Sequence, residues 1–174
     1  MDAAPAAFAL LAFCALADTP AQNDFQARIA AYIKVRNGVR PEKLKPTDSP
    51  EKIQHHEHEF AERIRKARPD AAQGDIFTPA ISAEFRRLIA QTMQGPDAGR
   101  IRASLARAAP VRLENLRVNR TYPSAVPLQS TPPSLLMNLP HLPPELDYRV
   151  VDHALVLRDT TANLIIDFVP DAIP

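Results

Sequence analysis

Apolar residues in the N-terminal half of the chain recur every three or four positions, which is the period of an α-helix. Asp48 or Ser49 can cap the second of these stripes, and Thr78 can cap the third. Because one isolated amphipathic helix is marginal in water, the stripes predict three to four helices that pack on one another. They cover residues 24–36, 50–68, 79–94 and 97–108.

The period changes to alternation after Pro110, as in a β-strand. Residues 111–113 and 116–118 alternate with a phase slip between them, which indicates a short bulged strand or two extended pieces. Turns at residues 152–154 and 159–162 separate three stretches rich in β-branched and aromatic residues, namely 148–151, 155–158 and 163–168. The pattern predicts a small C-terminal antiparallel β-meander, and the fold class is therefore α+β.

Proline is frequent, with 18 prolines against 4 glycines, and seven of the prolines lie in residues 121–145. Such a segment can be neither a regular helix nor a central strand. Since it also holds several leucines, we expect an extended, ordered strap that packs its apolar side chains on the domain. The chain then divides into a helical region at 18–120, the proline-rich strap at 121–145 and the β-meander at 146–174.

The first residues form an almost purely apolar run, residues 3–17, which is shorter than the roughly 20 residues of a membrane-spanning helix. Ala15 to Ala17 match the small-x-small pattern of a signal-peptidase site. We therefore predict a signal peptide at residues 1–17 and a periplasmic or secreted mature domain without a transmembrane segment. The lack of Lys and Arg before the run and the presence of Asp2 count against export, and the alternative is a buried N-terminal helix.

The single cysteine, Cys14, lies inside this run. A lipoprotein signal places a small residue before the lipidated cysteine, and Phe13 stands there instead, which argues against lipidation. Cleavage after Ala17 leaves a mature chain without cysteine, and thiol catalysis, Cys-based zinc sites and disulfides are then excluded together. The sequence leaves open which of the two processing events takes place.

Several segments carry a resemblance: QGDIFTP at 73–79, FRRL at 85–88, VPL at 126–128, TPPSLL at 131–136, LPPELDYR at 142–149 and ANLIIDFVP at 162–170. Together they resemble a family of small exported bacterial proteins with no known activity, over roughly residues 74–174. The resemblance implies export and a shared fold that includes the proline-rich stretch. It carries over no catalytic residue.

Histidine is concentrated in residues 55–59, which hold three of the five histidines. On a helix, the candidate metal ligands lie near one stripe and form i, i+4 pairs; they are His55, His58, Glu59 and Glu62. A divalent ion such as zinc or copper could use two of them, but the spacing matches neither His-Glu-x-x-His nor the Glu-x-x-His of di-iron bundles. A solvated helix face with weak ion pairs is the favoured alternative.

A basic series follows in residues 99–120, where Glu114 is the sole acidic residue. Guanidinium groups suit phosphate and carboxylate, so this series could bind a protein or an anionic component of the cell envelope. The net charge of +1 and the lack of aromatics among the arginines argue against nucleic acid. The alternative is a solvated, ion-paired face. The candidate residues are Arg100, Arg102, Arg107, Arg112, Arg117 and Arg120.

Signatures of familiar enzymes are missing from the sequence. Gly-x-Ser-x-Gly does not occur, and the 4 glycines are too scattered to form a phosphate-binding loop. The C-terminal acids and the nearby His153 fit turns and strand ends better than a catalytic set; the acids are Asp147, Asp152, Asp159 and Asp167. The sequence favours a non-enzymatic binding or interaction module in the cell envelope. The alternative is a metal-binding protein or metal-dependent enzyme that uses residues 55–59, and the oligomeric state is left open.

Overall fold

Helices precede a small sheet along the chain, so the predicted α+β fold class is confirmed. The computed structural model describes residues 18–107, 116–122 and 131–174, with Arg107 described by its backbone alone. These residues contain the helices α1 Pro20–Gly38, α2 Pro50–Ala67, α3 Pro79–Thr92, α4 Ala98–Arg107 and α5 Pro133–Leu136. The strands that follow are β1 Leu146–Val151, β2 Ala154–Asp159 and β3 Leu164–Val169. No helix in the described ranges has both the length and the apolar character needed to cross a membrane.

The first three helices begin in the same way, with a hydroxyl side chain at the N-cap and a proline directly after it. Each cap oxygen accepts a backbone N–H of the first turn, and proline fills a position whose N–H needs no partner. Ser49, not Asp48, caps α2. Helix α1 begins at Pro20 rather than at residue 24, because Thr19 and Gln22 form a capping box.

One face of the sheet packs on the helices and forms the main core. The ring of Phe85 on α3 lies at its centre, with its centroid 4.9 Å from that of Phe25, 5.1 Å from that of Phe77 and 5.9 Å from that of Tyr148. Tilted and edge-to-face ring pairs of this kind add to the stabilisation from buried apolar area. They join α1 and α3 to strand β1.

The sheet has the order β1-β2-β3 with both pairs antiparallel, which confirms the predicted β-meander. Val151 pairs with Ala154, so the first turn consists of Asp152 and His153 alone, whereas the sequence analysis also placed Ala154 in it. Asp152 takes a φ of +52°, as a two-residue hairpin turn requires. This difference of one residue changes which side chains face each other across β1 and β2.

The second face of the sheet is also covered. A smaller apolar cluster there consists of Tyr122, Val151, Val156 and Ile165. Tyr122 belongs to residues 116–122, which run along the outer edge of β3 and include a bridge from Thr121 to Leu164. Burial on both faces explains why β2 and β3 are almost continuously apolar. Of the strand or extended pieces expected at 111–118, residues 111–115 lie outside the described residues.

The proline-rich strap is not extended throughout, because α5 forms one helical turn within it. Pro133 takes the first position of this turn, where proline is tolerated. Leu135 and Leu139 are buried in the main core, with 0% and 4% of their surfaces exposed. The strap therefore packs leucines on the domain as expected, over the part that is described; residues 123–130 lie outside it.

Candidate binding cleft

A cleft of about 360 Å³ lies between β1 and the chain that leads to it from α5. Leu136, Leu139, Leu142 and Leu146 form its apolar part. Asp147 and Arg149 add charged groups from the strand, and further lining comes from neighbouring residues. Its volume lies within the range of small-molecule sites, about 300–1,000 Å³, which are typically apolar with a few placed polar groups.

Hydrogen bonds hold the outer wall of this cleft in place. Tyr148 Oη donates to the Pro140 carbonyl over 2.9 Å, and Thr131 Oγ1 donates to the Tyr148 carbonyl over 3.1 Å. Gln26 of α1 donates to the His141 carbonyl over 3.0 Å. Burial raises the pKa of Tyr148 well above its ordinary value, which keeps the hydroxyl protonated as a donor. A wall fixed in this way loses little conformational entropy when a ligand binds.

The charged wall is built by strand pairing. Asp147 lies opposite Arg158 in the β1–β2 register, and Arg149, two residues on, projects from the same face. Arg158 donates from Nε and Nη2 to the two oxygens of Asp147 over 3.1 and 2.8 Å. Arg149 Nε donates to Asp147 Oδ2 over 2.8 Å. Two guanidiniums therefore share one carboxylate.

Tyr122 approaches this wall from the second face of the sheet, and Glu57 of α2 interacts with the charge of Arg158. The Arg158 guanidinium carbon lies 5.2 Å from the centroid of the Tyr122 ring, within cation–π range. Among the described residues, the buried Tyr122 hydroxyl finds no hydrogen-bond partner. Burial raises the pKa of Tyr122, although the positive charges of Arg149 and Arg158 act to lower it. Burial also raises the pKa of Glu57, and the charge of Arg158 acts in the opposite direction.

Asp159 ends β2 and is fully buried. Its Oδ1 accepts the backbone N–H groups of Thr161 and Ala162 over 3.0 and 2.8 Å, which stabilises the turn after the strand. Its Oδ2 accepts from Tyr32 and from Arg36 on α1. Burial raises the pKa of Tyr32, and the adjacent Asp159 charge raises it further, so this hydroxyl remains a donor. The turn role was predicted, and the partnership with α1 was not.

Asp167 fastens β3 to the loop before α3. Its carboxylate accepts backbone N–H groups from Gly74, Ile76, Phe77 and Phe168, at distances from 2.8 to 3.2 Å. Burial raises the pKa of Asp167, and these four donors oppose that rise. Gly74 takes a φ of +96°, which turns its N–H toward the carboxylate and favours glycine. The Asp167 carboxylate therefore stabilises the fold by accepting these backbone hydrogen bonds.

His153 holds the end of the chain. Its Nδ1 lies 2.9 Å from the Ile173 carbonyl, and its own carbonyl accepts the N–H groups of Ala172 and Ile173. Asp152 is 3.9 Å away from His153 Nε2, and both side chains are more than half exposed. Asp152 and His153 therefore form the β1–β2 turn, and His153 also binds the C-terminal segment.

The predicted metal ligands on α2 lie on an exposed or ion-paired face. His55 and His58 are exposed. Both glutamates are held by arginines at 2.6 Å, Glu59 by Arg63 and Glu62 by Arg65. In the parts of the chain that the structure describes, no three His, Cys, Asp or Glu side chains are grouped to hold a metal ion. Divalent-metal binding by these residues stays a prediction.

Two arginines of the predicted basic series lie on α4. Arg100 pairs with Asp97 at 3.3 Å, and 85% of its side chain is exposed. Arg102 Nη2 donates to the Met93 carbonyl over 2.8 Å, at the end of α3. Arg102 therefore bridges two helices, and Arg100 presents its charge to solvent.

The remaining arginines of the series belong to other parts of the chain. Arg117 and Arg120 are exposed on the segment that borders β3. The Arg107 side chain and Arg112 lie outside the described residues. A role for the series in binding an anion or a partner also stays a prediction.

The sequence analysis did not find the cleft or its charged wall. Asp147 was placed near a strand end, but Arg149 and Arg158 were not singled out, because their meeting depends on strand register. No family model, no curated protein and no solved structure matches this chain. The choice of a candidate site therefore rests on the geometry of the cleft.

Proposed function

We propose that the protein is a non-enzymatic binding or interaction module of the cell envelope, periplasmic or secreted, and that the cleft beside β1 is its binding surface. The observation that carries the proposal is the combination of a leucine-lined cleft with the Asp147 and Arg149 wall. The partner is a protein or an anionic component of the envelope, whose apolar part packs on the leucines.

The hydrogen bonds made by the buried acids support a binding role over catalysis. Asp159 and Asp167 are fully buried, and each is saturated with donors that hold the fold. General acid–base catalysis requires a group within hydrogen-bond reach of a substrate. Neither carboxylate lines the cleft, whereas Asp147, which does, is bound by two guanidiniums.

The capping box of α1 is compatible with processing after Ala17. Thr19 caps α1 through its side chain, and its backbone N–H donates to Gln22 over 2.8 Å. A mature chain that begins at Asp18 keeps this capping box whole.

Cell fractionation with intact-mass measurement tests export. We expect the protein in the periplasm or the medium, with the mass of residues 18–174. Full-length protein in the cytoplasm would contradict the proposal, and a lipid-modified mass would show that Cys14 is processed instead.

Site-specific crosslinking tests the cleft as a binding surface. The only cysteine lies in the predicted signal, so a single new cysteine can carry a photo-crosslinker in the mature protein. His141→Cys places it in the cleft wall, and Lys66→Cys on the exposed face of α2 is the matched control. We expect an envelope component to be captured from position 141 alone. Identical products from both positions would count against the cleft.

A further inference from the structure

The cleft follows the outer edge of β1, which is an edge strand of the sheet. Successive side chains of a strand project from opposite faces, so Leu146 and Tyr148 lie on the helix-packed face and Asp147 and Arg149 on the other. All four residues nevertheless line the cleft. The edge of a strand borders side chains of both faces, and the cleft therefore runs along the β1 backbone.

We propose that this edge binds an extended peptide segment of an envelope protein, which adds to the sheet beside β1 and packs apolar side chains on the leucines of the strap. In such pairing, main-chain hydrogen bonds supply affinity and side-chain pockets supply specificity. The inference rests on the proposed function, because it names the partner of the same cleft.

Strand register determines which backbone groups of β1 face the cleft. The two-residue turn after β1 places Val151 in a hydrogen-bonded pair with Ala154, and backbone directions alternate along a strand. Just before the strand, the Glu145 carbonyl accepts a backbone N–H from the segment after β2 over 2.9 Å, in the same phase. The backbone groups of Leu146 and Tyr148 therefore point away from β2, toward the cleft.

The strap satisfies two of these four outward groups. The Leu146 N–H donates to the Pro143 carbonyl over 3.0 Å, and the Tyr148 carbonyl accepts from Thr131 Oγ1 over 3.1 Å. In the ranges that the structure describes, the Leu146 carbonyl and the Tyr148 N–H have no hydrogen-bond partner. Both residues are buried, and buried backbone groups are nearly always paired. This neighbouring acceptor and donor therefore indicate a ligand.

The two free groups match one residue of a peptide that runs parallel to β1. In parallel pairing, a residue donates its N–H to the strand residue before its neighbour and accepts an N–H from the one after it. A peptide residue beside Asp147 would thus donate to the Leu146 carbonyl and accept from the Tyr148 N–H. An antiparallel peptide would need the Leu146 N–H and the Tyr148 carbonyl as well, and the strap already holds these.

The peptide residues on either side of this paired residue would face the leucines. Their side chains would project on the helix-packed side of the sheet, where Leu139 is buried in the core and Leu136 and Leu142 pack against it. Burial of apolar side chains there is favourable in proportion to the area removed from water. Because the strap forms the opposite wall of the cleft, a single extended chain fits where the sheet of a second copy would meet the strap.

Calorimetric titration of the purified protein with the peptide Ac-STLTLTS-NH2 tests the proposal. An ester in place of the amide of the central threonine removes the N–H that the Leu146 carbonyl would accept, and binding should weaken about tenfold. The same replacement at the following leucine, whose N–H faces away from β1, should change the affinity by about twofold or less. Serine in place of both leucines should weaken binding at least tenfold. Equal losses from the two esters would overturn the pairing.

Amide hydrogen exchange measured by NMR locates the peptide at the edge. The Tyr148 N–H should exchange at least tenfold more slowly with the peptide bound, because it gains an acceptor. The N–H groups of Asp147 and Arg149 face β2 and are the matched controls, which should change much less. Peptide binding that leaves the exchange of the Tyr148 N–H unchanged would overturn the proposal.

A pair of variants tests the apolar wall. Leu142→Gln should weaken peptide binding at least tenfold, and Val35→Gln, at an exposed apolar position on α1, should not. Circular dichroism confirms that each variant is folded. Wild-type affinity in the Leu142→Gln variant would show that the peptide side chains do not pack on these leucines, which contradicts the proposal.

The two proposals fail in different ways. If the peptide does not bind while the crosslinker at position 141 still captures an envelope component, the ligand class is wrong and the cleft remains the binding surface. If neither the peptide nor an envelope component engages the cleft, the proposed function fails with it. A dimer in analytical ultracentrifugation whose Tyr148 N–H is already protected without peptide would assign the edge to a second copy and overturn the peptide proposal.

Discussion

Arg36 on α1 and Asp159 at the end of β2 form an ion pair with both side chains fully buried, Arg36 Nε lying 2.5 Å from Asp159 Oδ2. Arg36 Nη2 also donates to Thr161 Oγ1 over 3.0 Å, and the guanidinium carbon lies 4.9 Å from the centroid of the Phe60 ring. The pair joins groups 123 residues apart in the chain and fixes the first helix to the sheet.

Removal of one partner should be costly, because the other is left charged and buried. We expect Arg36→Met to lower the free energy of unfolding by about 3–5 kcal/mol, measured by urea denaturation followed by circular dichroism. Asp159→Asn should cost a similar amount. The double variant should cost less than the sum of the two, since no uncompensated charge remains.

The exposed pair of Arg63 and Glu59 on α2 is the matched control. Its side chains are 46% and 42% exposed, so Arg63→Met should cost about 1 kcal/mol or less. If Arg36→Met were no more destabilising than Arg63→Met, the buried pair would not be what attaches α1 to the sheet.

Acid should weaken the junction between α1 and α3. The hydrogen bonds from Arg87 lower the pKa of Glu84 below 4.5, and Thr19 Oγ1 also donates to this carboxylate over 3.2 Å. Because the pKa is lower in the folded state, the resulting stability is present above the unfolded pKa and is lost as pH falls through the folded pKa. Thermal unfolding of wild type and Glu84→Gln should therefore differ at neutral pH, and the difference should shrink progressively as the pH falls below the ordinary glutamate pKa of about 4.3. A constant difference across this range would show that the carboxylate charge is not involved.

The helices and the meander were predictable because their signals are local. Apolar spacing and the Thr78 and Pro79 pair identify α3, and alternation identifies the strands. Thr19 and Pro20 carry the same signal for α1, but the sequence analysis started this helix at residue 24 and did not use them. The error at α1 was therefore one of interpretation, since the sequence contains the capping signal.

The charged wall was missed because the predicted turn between β1 and β2 was one residue too long. A turn that includes Ala154 shifts the register by one and places Asp147 opposite Asp159, whereas the observed two-residue turn places it opposite Arg158. The cleft itself needs the leucines of the strap to meet β1 through tertiary packing. No local period in the sequence reports that contact.

Zinc titration tests the alternative function as a metal protein. Since Glu59 and Glu62 are held by arginines and His55 and His58 are exposed, we expect weak binding that is equal in wild type and in the His55→Ala/His58→Ala double variant. Calorimetry with zinc and with copper measures both. Wild-type binding that is tenfold tighter than that of the double variant would favour the metal-dependent alternative.

Asp167 and Gly74 both stabilise the loop before α3, and replacing Asp167 should lower the free energy of unfolding more than replacing Gly74. Asp167→Ala leaves the N–H groups of Ile76 and Phe77 buried without an acceptor, at about 1–3 kcal/mol each, so a loss of more than 2 kcal/mol is expected in urea denaturation. Asp167→Asn keeps one acceptor oxygen and should cost less. Gly74→Ala should cost about 1–2 kcal/mol through its φ of +96° alone, because the nearest atom to an added Cβ, the Phe77 carbonyl oxygen, is 3.8 Å away. Asp70→Ala, at an exposed acid close by, is the control and should change stability by about 0.5 kcal/mol or less. If Asp167→Ala were as mild as this control, the carboxylate would not be what holds the loop to β3.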